Sequence, residues 1–552
     1  MNTTLLSDYV DRSADRFPQN VAYRCVKDAI SYEQLGIRTT QLANFLIEEG
    51  VQSEDRVGVF LPRSLESAVA VHGILKSGAA FVPIDPATPL DRLRSIVRDC
   101  GIKHLITDGS KRLVLNELFT ERNAHLSPTC VLGLTLDSTS TARCFDWEIL
   151  DDFPSTRPTQ QISESHLAYV MYTSGSTGLP KGIMHTHSSG GAYAELSRDL
   201  YDIGPTDVIG NHSPLHFDMS TLGYLTAPLA AAETSIIPAA YTKMPASLSQ
   251  LMEDHEMTVW YSVPYALIQL LLRGACEQRD HSSLRWILFG GEPFPSKHLQ
   301  SSLRCWDSAR FSNVYGPAEV NQCTFFNVPD TWKHLDVLPP LPIGTVWGRT
   351  ESLVVSTEDN CGSPPANLLD ESVEEGELLI ASPTMMKGYW RRPDLNKQAF
   401  YEENISTEKP QKTYYRTGDL VCTQSDGNLL FLGRIDRQTK LRGHRIELDE
   451  IEAAIVSHPA VEECGAFPIT RNGEVVEIGS SVLRSRTSNS APSVAMIKEF
   501  AASKLPAYAV PTWINLVDVL PRTTSGKIDR RSLQDEAEKR NSVGSAGPKH
   551  ED

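Results

Sequence analysis

The sequence lacks several things that would each have set a class. Its ten cysteines are scattered, with no CxxC pair among them. That argues against a zinc ribbon or a disulfide framework and for reduced thiols. It has no basic excess: 52 Lys and Arg stand against 69 Asp and Glu, a net charge of −17. A body that acidic is a poor general binder of nucleic acid or of an anionic membrane, although a local basic pocket for an anion is still allowed. No apolar run is long enough to span a bilayer, and the opening MNTTLLSDYVDRSADRFPQN has no signal-peptide layout. Internal repeats are absent. With 40% hydrophobic and 22% charged residues, 35 Gly and 34 Pro, the composition excludes disorder, collagen and coiled coil. What is there is an acidic globular chain of 552 residues, too long for one ordinary domain and expected in the cytoplasm.

The chain alternates helical and strand patterns. Residues 64–77 (SLESAVAVHGILKS) carry apolar positions at helical spacing and stop at Gly78. The strand-like FVPID follows at once. LAYVMY (167–172), VWYSV (259–263) and LRWILF (284–289) read as short buried strands, and 264–275 (PYALIQLLLRGA) as a helix opened by proline. This predicts an α/β body with parallel sheet. The texture changes near 431–445 (FLGRIDRQTKLRGHR). A helix (IELDEIEAAIVSH), a strand (AVEECGAFPI), a second helix (APSVAMIKEFAASKL) and a strand (PTWINLVDVL) then predict a small α+β domain. The expected division is 1–433 and 434–536, with 537–552 a polar, disordered tail.

The sharpest local signal is Tyr172-Thr-Ser-Gly-Ser-Thr-Gly-Leu-Pro-Lys181-Gly182, directly after a predicted strand. Glycines and small hydroxyl residues let backbone N–H groups close on phosphate oxygens, and a lysine adds charge. It is not the P-loop of NTPases, which needs GK followed by Ser or Thr; here the lysine follows Leu-Pro.

YTSGSTGLPKG resembles the phosphate loop of the adenylate-forming superfamily, which includes acyl-CoA ligases, luciferases and the adenylation domains of nonribosomal peptide synthetases. The rest of that family's motif set follows in order over roughly residues 10–535. LKSGAAFVPIDP (75–86) resembles an early motif of the peptide-synthetase branch. NVYGPAE (Asn313 to Glu319) resembles the nucleotide site, YYRTGDL (Tyr414 to Leu420) the ribose site and GRIDRQTKLRGHRIE (Gly433 to Glu447) the hinge. LPAYAVP (505–511) and PRTTSGKIDR (521–530) resemble the closing motifs.

The resemblance implies a large N-terminal domain with mixed sheets and helices, plus a small mobile C-terminal domain. It implies ATP and Mg²⁺ as cosubstrate and metal. Joining a carboxylate to the α-phosphate brings two anions together while charge builds at phosphorus, so cations must be placed beforehand. By the resemblance, Lys527 reaches both the carboxylate and the α-phosphate, and Glu319 holds Mg²⁺. Thr173, Ser174, Gly175, Ser176, Thr177, Gly178 and Lys181 form the phosphate loop, and Gly291, Glu292, Asn313 and Gly316 border the nucleotide. Tyr315 stacks on adenine, Asp419 takes the ribose hydroxyls, and Arg434 reaches the ribose or phosphates. Ala318 departs from the family's usual Thr and removes one hydroxyl contact to the α-phosphate. Asp436 is the implied pivot, about which the small domain turns so that a thiol, of CoA or of a phosphopantetheinylated carrier protein, can take the acyl group.

SPLHFDMST (213–221) discriminates between branches. Amino-acid-activating members place an aspartate after an aromatic here, and this chain has Phe217-Asp218. A carboxylate facing an ammonium is a contact that an uncharged acid cannot satisfy. The bland alternative is an Asp capping the next helix. The remaining pocket positions implied by alignment are Met219, Leu222, Tyr261, Leu288, Gly290, Val314, Gln322 and Cys323. They offer no second charge, so a charged substrate side chain would be left unpaired at a cost of several kcal/mol, roughly. The set resembles that of stand-alone prolyl-adenylating enzymes that load a carrier protein, and departs from it at Gln322. A buried amide needs a partner, which leaves a small polar group on the substrate as an alternative to proline. An acyl- or aryl-CoA ligase on the same scaffold is the competing reading, against which Asp218 and LPAYAVP speak. A non-catalytic member is opposed by the complete set Lys181, Glu319, Asp419, Arg434 and Lys527. No carrier-protein motif with an attachment serine follows PRTTSGKIDRR, so a stand-alone enzyme of secondary-metabolite or antibiotic biosynthesis, loading its carrier in trans, is expected.

Overall fold

The computed structural model describes residues 5–119, 128–134, 142–175, 180–356, 374–403, 412–471, 474–485, 492–523 and 527–544. The chain forms two compact units. One comprises Met1–Pro86, Val97–Tyr172 and Gly182–Ile435, the other Asp436–Asp552 with the short segments Ala87–Ile96 and Thr173–Lys181. The break falls between Ile435 and Asp436 rather than before Arg434. The reason is local: Arg434 pairs in register with Asp419 in an antiparallel ladder of the first unit and forms an ion pair with it.

The first unit is built on three sheets. A nine-stranded sheet runs in the order Thr345–Val346, Thr324–Asn327, Arg310–Tyr315, Trp286–Gly290, Val259–Ser262, Val208–Asn211, Glu233–Ile236, Val21–Cys25, Asp28–Ser31. Its six middle strands pair in parallel and its edges are antiparallel. These strands are short apolar runs separated by helices such as Pro264–Arg273, which proline opens as expected. An eight-stranded sheet carries Leu167–Thr173 and Lys181–Thr186 beside Ala80–Pro83 and Arg56–Val59. A five-stranded antiparallel sheet carries Lys412–Thr423 and Leu429–Arg434.

Local signals explain the helices nearby. Ser31 caps Tyr32–Glu48 in a reciprocal box with Gln34. Leu65–Lys76, read from its spacing, is buried from Ser67 to Lys76. Its Gly73 admits Leu42 of the preceding helix so closely that a Cβ would collide with it.

In the second unit, Val461–Arg471 and Glu474–Arg484 pair antiparallel, Trp513–Val517 joins in parallel, and helices Leu448–Val456 and Val494–Lys504 pack into a core with Ile451, Ile455, Ile478 and Ile497. Glu474–Arg484 is a strand that is not among those expected from the sequence. Arg530–Gly544 is helical, so the start of the stretch read as a tail from 537 lies in a helix; residues 545–552 lie outside the described residues. Leu533 and Ala537 are buried against Phe467, Ile469 and Leu520, and Glu538 Oε1 accepts the Thr470 N–H and hydroxyl at 2.8 and 2.6 Å, so apolar and polar contacts together hold this polar helix. No helix among the described residues is long and apolar enough to cross a membrane.

Candidate active site

The nine-stranded sheet supplies one wall of the site by simple alternation. Tyr261 pairs in register with Leu288, and Leu288 with Ser312; Gly290 pairs with Val314. Side chains paired across a ladder share a face, and residues two apart on a strand return to it. Tyr261, Leu288, Gly290, Ser312 and Val314 therefore line one face. Gly290 is required there, because a Cβ would collide with the Val314 carbonyl. Met219 and Leu222 pack against this face, in one apolar cluster with Tyr261, Leu288, Val314, Trp286 and Tyr201. The structure thus brings together five of the aliphatic and aromatic residues expected in the acid pocket.

Asp218 opens the short turn Asp218–Ser220 after Phe217, whose ring leans on His216 at 5.0 Å. Its Oδ1 accepts the Met219 N–H at 2.9 Å, a contact to the next residue and not a helix cap, since Phe217 holds the cap position and makes no side-chain cap bond. The charge nevertheless reaches the cluster. Burial first, then the neighbouring Tyr193 and the Asp218 carboxylate, pushes the Tyr261 phenol well up. The same carboxylate adds to the burial that raises Tyr169 and Tyr193. Asp218 is fixed from behind. Thr221 Oγ1 donates to the Asp218 carbonyl at 2.5 Å and accepts from Asn321 Nδ2 at 3.2 Å, with Asn321 in the left-handed region at φ 56°. The Gly316 position sits so close to the Asn321 carbonyl that no side chain fits.

The strand Arg310–Tyr315 leads from this cluster to the residues expected at the nucleotide. Tyr315 donates its hydroxyl to Asp419 Oδ2 at 2.5 Å, and Arg434 Nη1 donates to Asp419 Oδ1 at 2.6 Å and to the Thr417 carbonyl at 3.1 Å. Burial and then the Asp419 charge hold the Tyr315 phenol far above its ordinary range. Cys323 Sγ donates to the Tyr315 carbonyl at 3.5 Å, and burial raises its thiol, so it serves packing as a neutral group.

Glu319 is fully buried and accepts the Tyr389 hydroxyl at 2.7 Å on Oε1. Beside it, His185 donates Nε2–H to the Ala318 carbonyl at 2.9 Å; burial lowers its pKa to about 4 against the opposing pull of that bond and of Glu319. A fixed anionic oxygen of this kind is what a hard divalent cation takes, so the donor fits Mg²⁺. Asn313 and Glu292 are occupied in holding the protein itself: Asn313 Nδ2 donates to the Pro342 carbonyl at 2.7 Å, and Glu292 Oε1 accepts the Tyr265 N–H at 2.9 Å in the first turn of Pro264–Arg273. Gly291 adopts φ 88°.

Thr173 ends one strand and Lys181 begins the next. Ser174, Gly175 and Lys181 are buried. The Thr173 hydroxyl is buried and has no hydrogen-bond partner among the described residues, a donor suited to an anionic oxygen. Ser176, Thr177 and Gly178 lie outside the described residues. At the foot of the loop, Tyr172 donates to Asp99 Oδ2 at 2.6 Å, while Arg392 and the Trp390 indole hold the same residue at 2.8 and 2.9 Å. Lys527 and Asp436 belong to the second unit, and both are exposed. The Lys527 carbonyl accepts the Thr523 N–H at 2.8 Å, and Asp436 Oδ1 accepts the Gln438 N–H at 3.1 Å.

Tyr201, Asn321, Thr221, Tyr389 and Asp99 escape the sequence reading. Only Thr221, the last residue of SPLHFDMST, and Asn321, next to Gln322 and two residues from NVYGPAE, stood close enough to a motif to be found.

Residues 10–390 match the AMP-binding enzymes and residues 450–527 match the AMP-binding enzyme C-terminal domain. The chain is 32% identical over 536 residues, 97% of its length and 99% of the relative's, to an L-proline--[L-prolyl-carrier protein] ligase of Pseudomonas fluorescens. It is 31% identical over 92% of both chains to a ligase of the same name from Streptomyces coelicolor. An amide bond synthetase from Marinactinospora thermotolerans shares the fold, with a TM-score of 0.80 at 21% identity over 96% of this chain and 99% of that one.

Proposed function

The chain belongs to the family of AMP-binding enzymes, and we propose from that premise that it adenylates L-proline, or a small neutral amino acid of like shape, and passes it to a carrier-protein thiol. The observation that carries this reading is the pairing of one carboxylate, Asp218, with an otherwise apolar cluster of Met219, Leu222, Tyr261, Leu288 and Val314. A zwitterion with an apolar side chain suits both parts; a fatty or aromatic acid brings no ammonium group to the Asp218 carboxylate. The names of the Pseudomonas fluorescens and Streptomyces coelicolor relatives support the same substrate and acceptor.

In the first step a substrate carboxylate oxygen attacks the α-phosphorus of ATP. The bond to the β-phosphate breaks and pyrophosphate leaves. Asp218 holds the substrate's ammonium group and so orients its carboxylate. Asp419, preset by Tyr315 and Arg434, takes the ribose hydroxyls. Thr173, Ser174 and Lys181 receive the outgoing phosphates, and Lys527 neutralises charge between carboxylate and α-phosphate. Mg²⁺, held through Glu319, supplies charge neutralisation on the phosphate oxygens. In the second step the carrier's phosphopantetheine thiol attacks the acyl carbon, its proton leaves, and AMP departs with the bonding pair. A turn of the second unit about Asp436 separates the two steps. The nine described cysteines, all free, support a reducing compartment, the cytoplasm.

A panel of the twenty amino acids with benzoate and a fatty acid in an ATP–pyrophosphate exchange assay tests the reading. Exchange is expected with proline first. Exchange with benzoate or the fatty acid alone replaces it with a CoA-ligase reading.

A further inference from the structure

Resting on the amino-acid reading above, we infer that Tyr201, a residue outside every motif, sets the substrate class by turning the Gln322 amide away from substrate recognition. Gln322 was the position that left the substrate open, since a buried amide needs a partner and the substrate could have been that partner. The protein supplies the partner instead. Gln322 is 2% exposed and donates Nε2–H to the Tyr201 hydroxyl oxygen at 3.0 Å. Tyr201 is fully buried at the end of the helix His187–Tyr201, and its hydroxyl also meets Ser312 Oγ at 3.5 Å. Ser312 lies on the same sheet face as Leu288, its register partner. The three polar groups thus form a chain, Gln322 to Tyr201 to Ser312, embedded in the apolar cluster.

Tyr201 is held firmly enough to impose this. Its ring meets Trp286 edge-on at 5.2 Å and 72°. Its carbonyl accepts Arg285 Nη1 at 2.8 Å, and Arg285 is clamped by Asp207 through Nε and Nη2, both at 2.7 Å. With one amide N–H bonded to Tyr201, the Gln322 amide is held toward the protein, and the rest of the surface offered to the substrate side chain is that of Met219, Leu222, Leu288 and Val314 with the ring of Tyr261. Such a surface selects a compact side chain with no hydrogen-bonding group, a ring or a short aliphatic chain, and rejects a hydroxylated or amide-bearing one. Tyr201 is on this account a positioning residue for specificity.

Exchange kinetics with L-proline and with trans-4-hydroxyproline, which adds one hydroxyl, test this on wild type, Tyr201→Phe, Gln322→Leu and the double variant. Tyr201→Phe strands the Gln322 N–H in the pocket. The KM for proline rises about tenfold, the ratio of kcat/KM for hydroxyproline to that for proline rises by a similar factor, and the KM for ATP stays within about twofold. Gln322→Leu removes the amide donor itself while Tyr201 still meets Ser312, and the hydroxyproline-to-proline ratio of kcat/KM is expected to stay at or below the wild-type value, whatever the change in proline KM. The double variant recovers part of the proline KM lost in Tyr201→Phe, since the stranded Gln322 N–H is gone and only the Ser312 hydroxyl is left without its partner. The inference is overturned if Tyr201→Phe leaves the hydroxyproline-to-proline ratio unchanged, if the double variant is no better than Tyr201→Phe, or if wild type itself prefers a hydroxylated or amide-bearing amino acid. Activity of wild type with non-amino acids alone is a different result: it removes the amino-acid reading itself, and this inference with it.

Discussion

The Tyr315 hydroxyl lies 2.5 Å from Asp419 Oδ2, on the carboxylate whose other oxygen is held by Arg434 at 2.6 Å. Asp419 is thereby aimed before any nucleotide arrives, which is the condition for recognising a ribose diol without reorganisation. Asp419→Asn removes the charge that organises both neighbours. The KM for ATP is expected to rise about 10- to 100-fold with the amino-acid KM little changed, as read by exchange kinetics in each substrate. Tyr315→Phe is expected to show a milder form of the same split.

Lys527 is exposed, so its role and its structural weight separate cleanly. Lys527→Ala is expected to reduce adenylation by about 1000-fold, the scale of a lost charge stabilising a phosphoryl transition state. The melting temperature should stay within about 1 °C, as for other surface substitutions. A large fall in melting temperature instead would make the residue structural.

Asp436 begins the second unit and tests the two-step account. With Asp436→Pro, φ is fixed at the pivot. Pyrophosphate exchange is expected to persist within about fivefold while thioester formation on a phosphopantetheinylated carrier falls by two orders of magnitude or so. Mass spectrometry of the carrier reads the second step. Equal loss of both steps contradicts the pivot.

Stability should fall on the acid side for a definable reason. Burial holds His72 at about 3 and His185 and His187 at about 4, each below the ordinary value of about 6.5. Folding thus favours the neutral ring. The stability it contributes is complete above about pH 6.5 and is lost as pH falls toward 4, by as much as ~1.4 kcal/mol per pH unit for each residue. Urea midpoints are expected to drop steadily from pH 7 to pH 5, and less steeply in His185→Gln. A flat profile would contradict the neutral, buried assignment.

Much of this was legible in the sequence because the signals are local. Pro264 opens its helix, Ser31 and Gln34 form a capping box, and Tyr261, Leu288, Gly290 and Val314 share a face through the period of two. The rest depends on distance along the chain. Tyr389 reaches Glu319 across 70 residues and Tyr201 reaches Gln322 across 121, with no motif at the far partner in either case. The helix Arg530–Gly544 was hidden for another reason: its polar composition resembles a tail, and only Leu533 and Ala537 mark the buried side. Glu474–Arg484 was passed over as well, although Glu477 to Leu483 places Ile478, Ser480 and Val482 in the alternation of a strand.

The central claim is that Asp218 selects an amino acid by its ammonium group and that the apolar cluster selects its side chain. The most direct test compares L-proline with cyclopentanecarboxylate, alike in ring and carboxylate but without the ammonium, in ATP–pyrophosphate exchange by wild type and Asp218→Ala. Wild type is expected to exchange with proline and to ignore the analogue by a factor of about 1000 or more, and Asp218→Ala to lose most of that preference. Comparable exchange with both acids by wild type, or an undiminished preference for proline in Asp218→Ala, would contradict it.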